Sequence, residues 1–78
     1  MHAPNNMGRA SVEDLERRYA LGITIEDGWA DELGTMAARL KQQGHLEKAQ
    51  QFLDASRRHR VNAMKFHALM SGLAVEAG

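Results

Sequence analysis

The sequence predicts an all-α fold in which helices pack against one another. The only proline, Pro4, lies close to the amino terminus, so nothing after Ser11 forbids a helix. Apolar residues recur at spacings of three and four, and no window alternates polar with apolar residues as a strand would. The remaining breakers are glycines, and they divide the chain into its predicted elements.

The first predicted helix covers residues 12–21. Ser11 stands at its amino-terminal cap, Asp14 completes the capping signal, and Gly22 follows as a left-handed stop. Its apolar stripe consists of Val12, Leu15 and Tyr19. This helix offers only a short apolar stripe to the rest of the chain.

The second predicted helix covers residues 24–43. Thr24 opens a second capping signal, with acidic residues in the first turn where the helix dipole favours them, and Gly44 supplies the stop. Apolar residues then recur every three or four positions, at Ile25, Trp29, Leu33, Met36 and Leu40. This regular stripe predicts the buried side of the helix.

The third predicted helix covers residues 45–73 and folds back antiparallel to the second about Gly44. Residues at equal distances from Gly44 then lie side by side, which places Asp31 near Arg57 and Asp27 near Val61. The acidic residues of the second helix therefore neutralise part of the basic run 57–65 in the third. Exposed pairs of this kind stabilise by only about 0 to 1 kcal/mol each, so they set the register more than the stability.

The unit around Gly44 resembles one tetratricopeptide helix-turn-helix over residues 30–63. With Gly44 at the turn glycine of that family, the inner positions are occupied by Leu33, Met36, Ala37 and Leu40 and then by Leu46, Ala49, Leu53 and Ser56. The chain departs from the family in lacking the tryptophan and tyrosine of the first helix and the closing proline, where Val61 stands. The resemblance implies a helical hairpin that crosses closely at Ala37 and Ala49, and such units need neighbours to stack on.

Length and composition predict one small domain over residues 11–78 that depends on association. Chains of this length, 78 residues, bury only about 60% of the surface that their unfolded form exposes. The chain has no cysteine to supply a disulfide, so the remaining supports are self-association or a partner protein. Residues 1–10 are polar and are predicted to form a disordered tail.

The apolar end of the third helix is the predicted partner-binding surface. Its apolar residues spread around more of the helix than one neighbour can cover, and methionines suit an adaptable interface. The residues assigned to this surface are Met64, Phe66, Leu69, Met70 and Leu73. We expect a small interaction module that forms homo-oligomers or docks on a larger protein as an accessory subunit, chaperone, adaptor or inhibitor.

Two alternatives from other classes use the basic run. A small regulator could bind nucleic acid through Arg57, Arg58, Arg60 and Lys65, but ten basic and ten acidic residues cancel and leave no overall positive field. An oligomeric helical enzyme would have to assemble a site from residues such as Arg57, Arg60 and Asp31 across subunits. No nucleophile motif or phosphate-binding loop supports it, and an enzyme is not expected.

Cofactors, metals and membranes are not expected either. A helical metal site needs His and Glu three or four positions apart, and His45, His59 and His67 have no such neighbour. The amino-terminal residues have no apolar run typical of a secretory signal, and no segment reaches the ~20 apolar residues of a membrane span. These absences favour a cytoplasmic location.

Overall fold

The protein folds as an antiparallel pair of long helices. A computed structural model describes the backbone of residues 4–77 and the side chains of residues 11–73. Helix α1 spans Pro4–Gln42, helix α2 spans Leu46–Ala77, and the described residues contain no strand. Neither helix carries an apolar stretch long enough to cross a membrane within those residues. The predicted all-α class and the hairpin are confirmed.

Gly44 makes the turn between the helices, as the sequence predicts. Its φ of 85° is the left-handed conformation that glycine adopts without steric cost. The amide of His45 donates to the carbonyl of Leu40 at 2.9 Å, and the amide of Gly44 donates to that of Lys41 at 3.0 Å. These two bonds form a Schellman motif, which satisfies the last carbonyls of α1 and reverses the chain.

The structure joins the first two predicted helices into one. Gly22 and Thr24 lie inside α1, so the predicted boundary at residues 21–24 is wrong. The Thr24 hydroxyl donates to the carbonyl of Ala20 at 3.1 Å instead of capping a new helix. Gly22 keeps a helical conformation, because Gly44 alone among the described glycines has a positive φ.

Gly22 serves close packing. A Cβ atom built on Gly22 would lie 2.8 Å from the ring of Phe66 in α2, which is closer than real Cβ contacts come. The missing side chain therefore leaves the space that this ring occupies. Tyr19, one turn earlier, packs on the same ring with a centroid distance of 6.0 Å.

Helix α1 begins at Pro4, and residues 1–3 lie outside the described residues. The disordered tail over residues 1–10 stays a prediction. At the other end, α2 continues through Gly72 to Ala77, past the predicted end at residue 73.

Small residues form the seam between the helices. The buried residues are Ala30 and Ala37 in α1 and Ala49, Ser56 and Ala63 in α2. Within each helix they recur every seven positions, which returns them to the same side after two turns. The Ser56 hydroxyl donates to the backbone carbonyl of Ala30 at 2.6 Å, a contact that requires the two helices to approach closely. The predicted close crossing at Ala37 and Ala49 is part of this seam.

Large side chains are excluded from the seam. No large side chain is fully buried among those described. Leu33 and Leu40 lie half-buried beside the alanines, whereas Ile25, Trp29 and Met36 of the same predicted stripe are exposed. The stripe predicted to be buried therefore runs along the edge of the seam, because alanines occupy its centre.

Replacement of Gly22 by alanine should destabilise the hairpin by about 1 to 3 kcal/mol, the usual cost of overpacking a close contact. The same substitution at Gly72 is the control, because that glycine is also helical and has no atom within 4 Å of a built Cβ. Gly72→Ala should be neutral or stabilise by up to about 1 kcal/mol. Urea unfolding followed by circular dichroism at one fixed protein concentration measures both free energies.

A second variant separates the roles of Gly22. If the glycine is needed for space, Gly22→Ala combined with Phe66→Leu should recover part of the lost stability. A Gly22→Ala protein as stable as Gly72→Ala would contradict the packing role.

Candidate interaction surface

A polar cluster links the helices at one edge of the seam. Glu26 of α1 accepts hydrogen bonds from two side chains of α2: one oxygen contacts Nδ1 of His59, and the other accepts from the Asn62 amide at 3.0 Å. The exposed fractions of the side chains are 19% for Glu26 and 33% for His59, so both are partly shielded from water. Each helix thus supplies one side of a cross-link that fixes the register.

The surroundings of Glu26 favour its charged form. The hydrogen bond from His59 lowers the pKa of Glu26 below its ordinary value of 4.5, and the bond from Asn62 adds to this effect, while desolvation opposes it. A carboxylate and an imidazole in contact are also components of a catalytic dyad, which needs a nucleophile within reach. The hydroxyl of Ser56, three positions before His59, is buried and donates its hydrogen bond to the carbonyl of Ala30. The contacts of Glu26 with His59 and Asn62 link the two helices.

The cluster also orients Trp29. Its indole stacks on the His59 ring with a centroid distance of 6.2 Å and an interplanar angle of 25°. Since Glu26 holds His59 through Nδ1, the imidazole offers a fixed platform for the indole. Trp29 nevertheless remains 54% exposed. A large aromatic side chain is therefore held in one orientation at the surface.

Trp29 belongs to a group of exposed apolar side chains on one side of the hairpin. Successive helical residues turn by about 100°, and the bonds of Glu26 to Asn62 and of Asp27 to Arg60 identify the two sides of the pair. On the side of Trp29 and Asn62 lie Ile25, Trp29 and Met36 of α1 and Leu69 of α2, all exposed by 42% to 54%. We call these four residues the apolar face.

The opposite side of the hairpin is dominated by an ion-pair network. The guanidinium of Arg60 donates to Asp27 and to Asp31, both at 2.9 Å. These hydrogen bonds, that of Asp31 first, raise the pKa of Arg60, so its charge is fixed at any ordinary pH. The predicted neutralisation of the basic run by acids of the first long helix is confirmed at this arginine.

The basic residues of the run are divided between two sides of α2. Arg57 lies three positions before Arg60 on the same side, 4.0 Å from Asp54 of its own helix. Arg58 and Lys65 are exposed on the back of α2, away from α1, whereas Arg60 points towards α1. The four cations therefore do not form a single surface, and the nucleic-acid alternative stays a prediction.

The predicted partner-binding residues are divided by the structure. Phe66, Met70 and Leu73 are half-buried, and Phe66 packs on Tyr19 and against Gly22. Leu69 is 50% exposed on the apolar face, and Met64 is 63% exposed on the side of Arg60. The division arises because α1 is continuous through Gly22, so its amino-terminal part packs along the end of α2. The sequence predicted this part of α1 as a separate short helix.

Three residues of α1 that the sequence analysis placed in the buried stripe, Ile25, Trp29 and Met36, belong to the exposed apolar face instead. Leu21 is 60% exposed as well, but it lies seven positions before Gly28 on the back of α1. The sequence feature that indicates which side of α1 contacts α2 is a second stripe, Ala30 and Ala37, which runs beside the bulky one at seven-residue spacing.

The described residues bring no metal site together. No group of three or more His, Asp or Glu side chains within residues 11–73 has an arrangement that would hold a metal ion. His45 and His67 are exposed, and His59 contacts Glu26.

Comparisons with protein-family models, with curated proteins and with solved structures give no match for this chain. The resemblance to a tetratricopeptide unit therefore stays a prediction, and the arguments about function depend on the geometry described above.

The lowered pKa of Glu26 gives the stability of the hairpin a specific pH dependence. In the unfolded chain Glu26 binds a proton near pH 4.5, and in the folded chain it does so only at lower pH. The contribution of the carboxylate is therefore complete above about pH 4.5 and is lost as the pH falls through the folded-state value. Glu26→Gln keeps a hydrogen-bonding side chain but removes this titration.

The measurement is the unfolding free energy between pH 7 and pH 3, at one protein concentration. The natural chain should lose stability relative to Glu26→Gln only below about pH 4.5. Glu32→Gln, at an exposed position of the same helix, is the control and should retain the pH dependence of the natural chain. A Glu26→Gln curve parallel to that of the natural chain would contradict the role given to Glu26.

Proposed function

We propose that this chain is a small helical protein-protein interaction module that acts through the apolar face. The observation that carries the proposal is the exposure of Ile25, Trp29, Met36 and Leu69 on one side of the hairpin. Exposed apolar side chains grouped on one side of a small protein mark sites of association. The module would act as an accessory subunit, chaperone, adaptor or inhibitor in the cytoplasm.

The character of Trp29 supports the proposal. Tryptophan is enriched among the residues that dominate binding energy, because it offers a large, rigid contact area with little loss of conformational entropy. Here the stacking on His59 restricts the indole before any partner arrives. Binding then costs less conformational entropy for this side chain than it would for a mobile side chain.

The contrast between the two sides of the hairpin gives further support. The side of Arg60 satisfies its charges internally, through Asp27 and Asp31. The side chains of the apolar face cannot be buried within the hairpin, because alanines and Ser56 fill the seam between the helices. A partner protein can cover the apolar face without breaking any hydrogen bond that the hairpin makes.

Photo-crosslinking in the producing cells tests this function. We expect a benzoylphenylalanine residue in place of Ile25 to form covalent adducts with protein, because this position belongs to the apolar face. The matched control is the same residue in place of Val61, which is equally exposed, 48% against 50%, but lies on the back of α2. Adducts are resolved by mass on a denaturing gel and identified by peptide mass spectrometry.

Adducts at position 25 that are absent at position 61 are the expected result, whether the captured protein is another chain or a second copy of this one. Equal adducts at both positions, or adducts only at position 61, would contradict the apolar face as the binding surface.

A further inference from the structure

We infer that the partner on the apolar face is an amphipathic helix of another protein, with apolar side chains that cover Trp29 and Met36 and carboxylates that pair with Arg39 and Lys48. This inference rests on the proposed function, since it states the chemistry of the partner that the same surface binds. The docked helix would lie along the hairpin and complete a bundle of three helices.

A groove extends the apolar face towards the turn. Its lining consists of Met36, Arg39, Leu40, Gln43, Lys48 and Phe52. Met36 lies seven positions after Trp29 and Phe52 seven before His59, so the groove is on the side of the hairpin where those two rings stack. Its volume of about 310 Å³ is at the lower end of the range for small-molecule sites, and it is open to solvent. The groove therefore suits the side chains of a partner better than an enclosed ligand.

The groove is basic. Arg39 and Lys48 are the charged residues of its lining, and both are exposed. Within residues 11–73 neither side chain forms an ion pair or a hydrogen bond. The charge of Arg60, in contrast, is neutralised by two aspartates of α1. The groove thus combines apolar surface with two unpaired positive charges, which complement a partner that carries apolar side chains and carboxylates together.

Lys48 stands at an unfavourable position for folding. It lies in the first turn of α2, where the helix dipole disfavours a positive charge. Arg39 lies in the last turn of α1, where the dipole favours one, so Lys48 is the stronger indication of a partner. A carboxylate brought to this end of the hairpin would pair with Lys48 and would also lie near the amino terminus of α2, where an anion is favoured.

The shape of the surface favours a helix over an extended segment. The part of the chain that the structure describes contains no strand, so it offers no sheet edge for strand addition. Along α1 the apolar stripe runs from Ile25 to Leu40, a length of about 22 Å, which matches about 15 residues of a docked helix. The shortest dimension of the hairpin, 12 Å, equals the diameter of one helix. A helix on this side supplies the second layer that a stable domain needs.

The distribution of charge favours a protein helix over an anionic membrane. A membrane-binding face carries Lys or Arg along its whole polar border. Here the two cations are confined to the end of the face nearest the turn, while the ionised Glu26 lies beside its middle, next to the ring that supports Trp29. The carboxylates of the partner are therefore expected at the end of its helix that lies next to Gly44.

Selection from a phage-displayed library of helical peptides tests this chemistry. The bait is the full chain, and the library keeps leucine at helical spacings of three and four, omits tryptophan and randomises the other positions. The natural chain should select peptides enriched in Asp and Glu at one end. The combined variant Arg39→Glu and Lys48→Glu should select Lys and Arg there instead. Peptides without acidic enrichment, identical peptides from both baits, or no binders at all would overturn the inference.

Trp29 reports docking directly, because it is the only tryptophan of the chain. The probe is the peptide that the natural chain enriches most, and its binding should shift the Trp29 emission to shorter wavelength. Arg39→Glu with Lys48→Glu should weaken this binding by about tenfold or more. The control, Arg58→Glu with Lys65→Glu, reverses two exposed charges on the back of α2 and should leave the dissociation constant within about threefold.

Circular dichroism verifies that both double variants remain helical. Equal losses of affinity in the two variants would overturn the pairing of the partner with the groove.

The same fluorescence signal identifies the other possible occupants. A shift of the Trp29 emission with increasing protein concentration, without peptide, would identify a second copy on the face and overturn the inference. A shift with vesicles of phosphatidylserine and phosphatidylcholine, but not with the selected peptide, would identify a membrane surface and overturn it as well.

These outcomes are separate from the test of the proposed function. Adducts at position 25 in cells, together with selected helices that are neutral or basic, would overturn this inference and leave the interaction module supported. Acidic helices that depend on Arg39 and Lys48, together with equal adducts at positions 25 and 61, would contradict the proposed function while the charge preference of the groove is confirmed.

Discussion

The close contact between α1 and α2 along a seam of small residues is the constraint from which the other features follow. Alanine side chains and the hydroxyl of Ser56 fill the seam, and that hydroxyl reaches the backbone of α1. At this separation the seam cannot accommodate leucine or tryptophan side chains. The contact brings the helices close together, but it buries little apolar surface, and such burial is the main source of stability in a folded protein.

The short distance between α1 and α2 allows polar side chains at both edges of the seam to reach the other helix. Glu26 reaches His59 and Asn62 across the edge of the seam, and Arg60 spans the other edge to two aspartates. Isolated surface pairs stabilise weakly, but pairs on both edges prevent the helices from sliding by a turn. They complement the small-residue seam, which allows close approach but offers few large side chains to fix a register.

Much of the hairpin could be predicted from the sequence, because its determinants are local. Gly44 needs only its own conformational freedom to end α1, and counting outward from it brings the acids of α1 to the basic run of α2. The role of Gly22 could not be predicted in this way, because it depends on the ring of Phe66 in the other helix. Thr24 is equally ambiguous, since a threonine caps a helix that starts there and bonds backwards in one that continues.

The candidate surface was harder to predict for a related reason. A periodic apolar stripe indicates that a helix side is covered, but it does not identify the molecule that covers it. In α1 the stripe through Ile25, Trp29 and Met36 and the stripe through Ala30 and Ala37 lie side by side, and both have helical periodicity. The alanines take the intramolecular contact, since only they permit the hydroxyl of Ser56 to reach the carbonyl of Ala30. The bulky stripe then remains exposed, and this exposure is the basis of the proposed association.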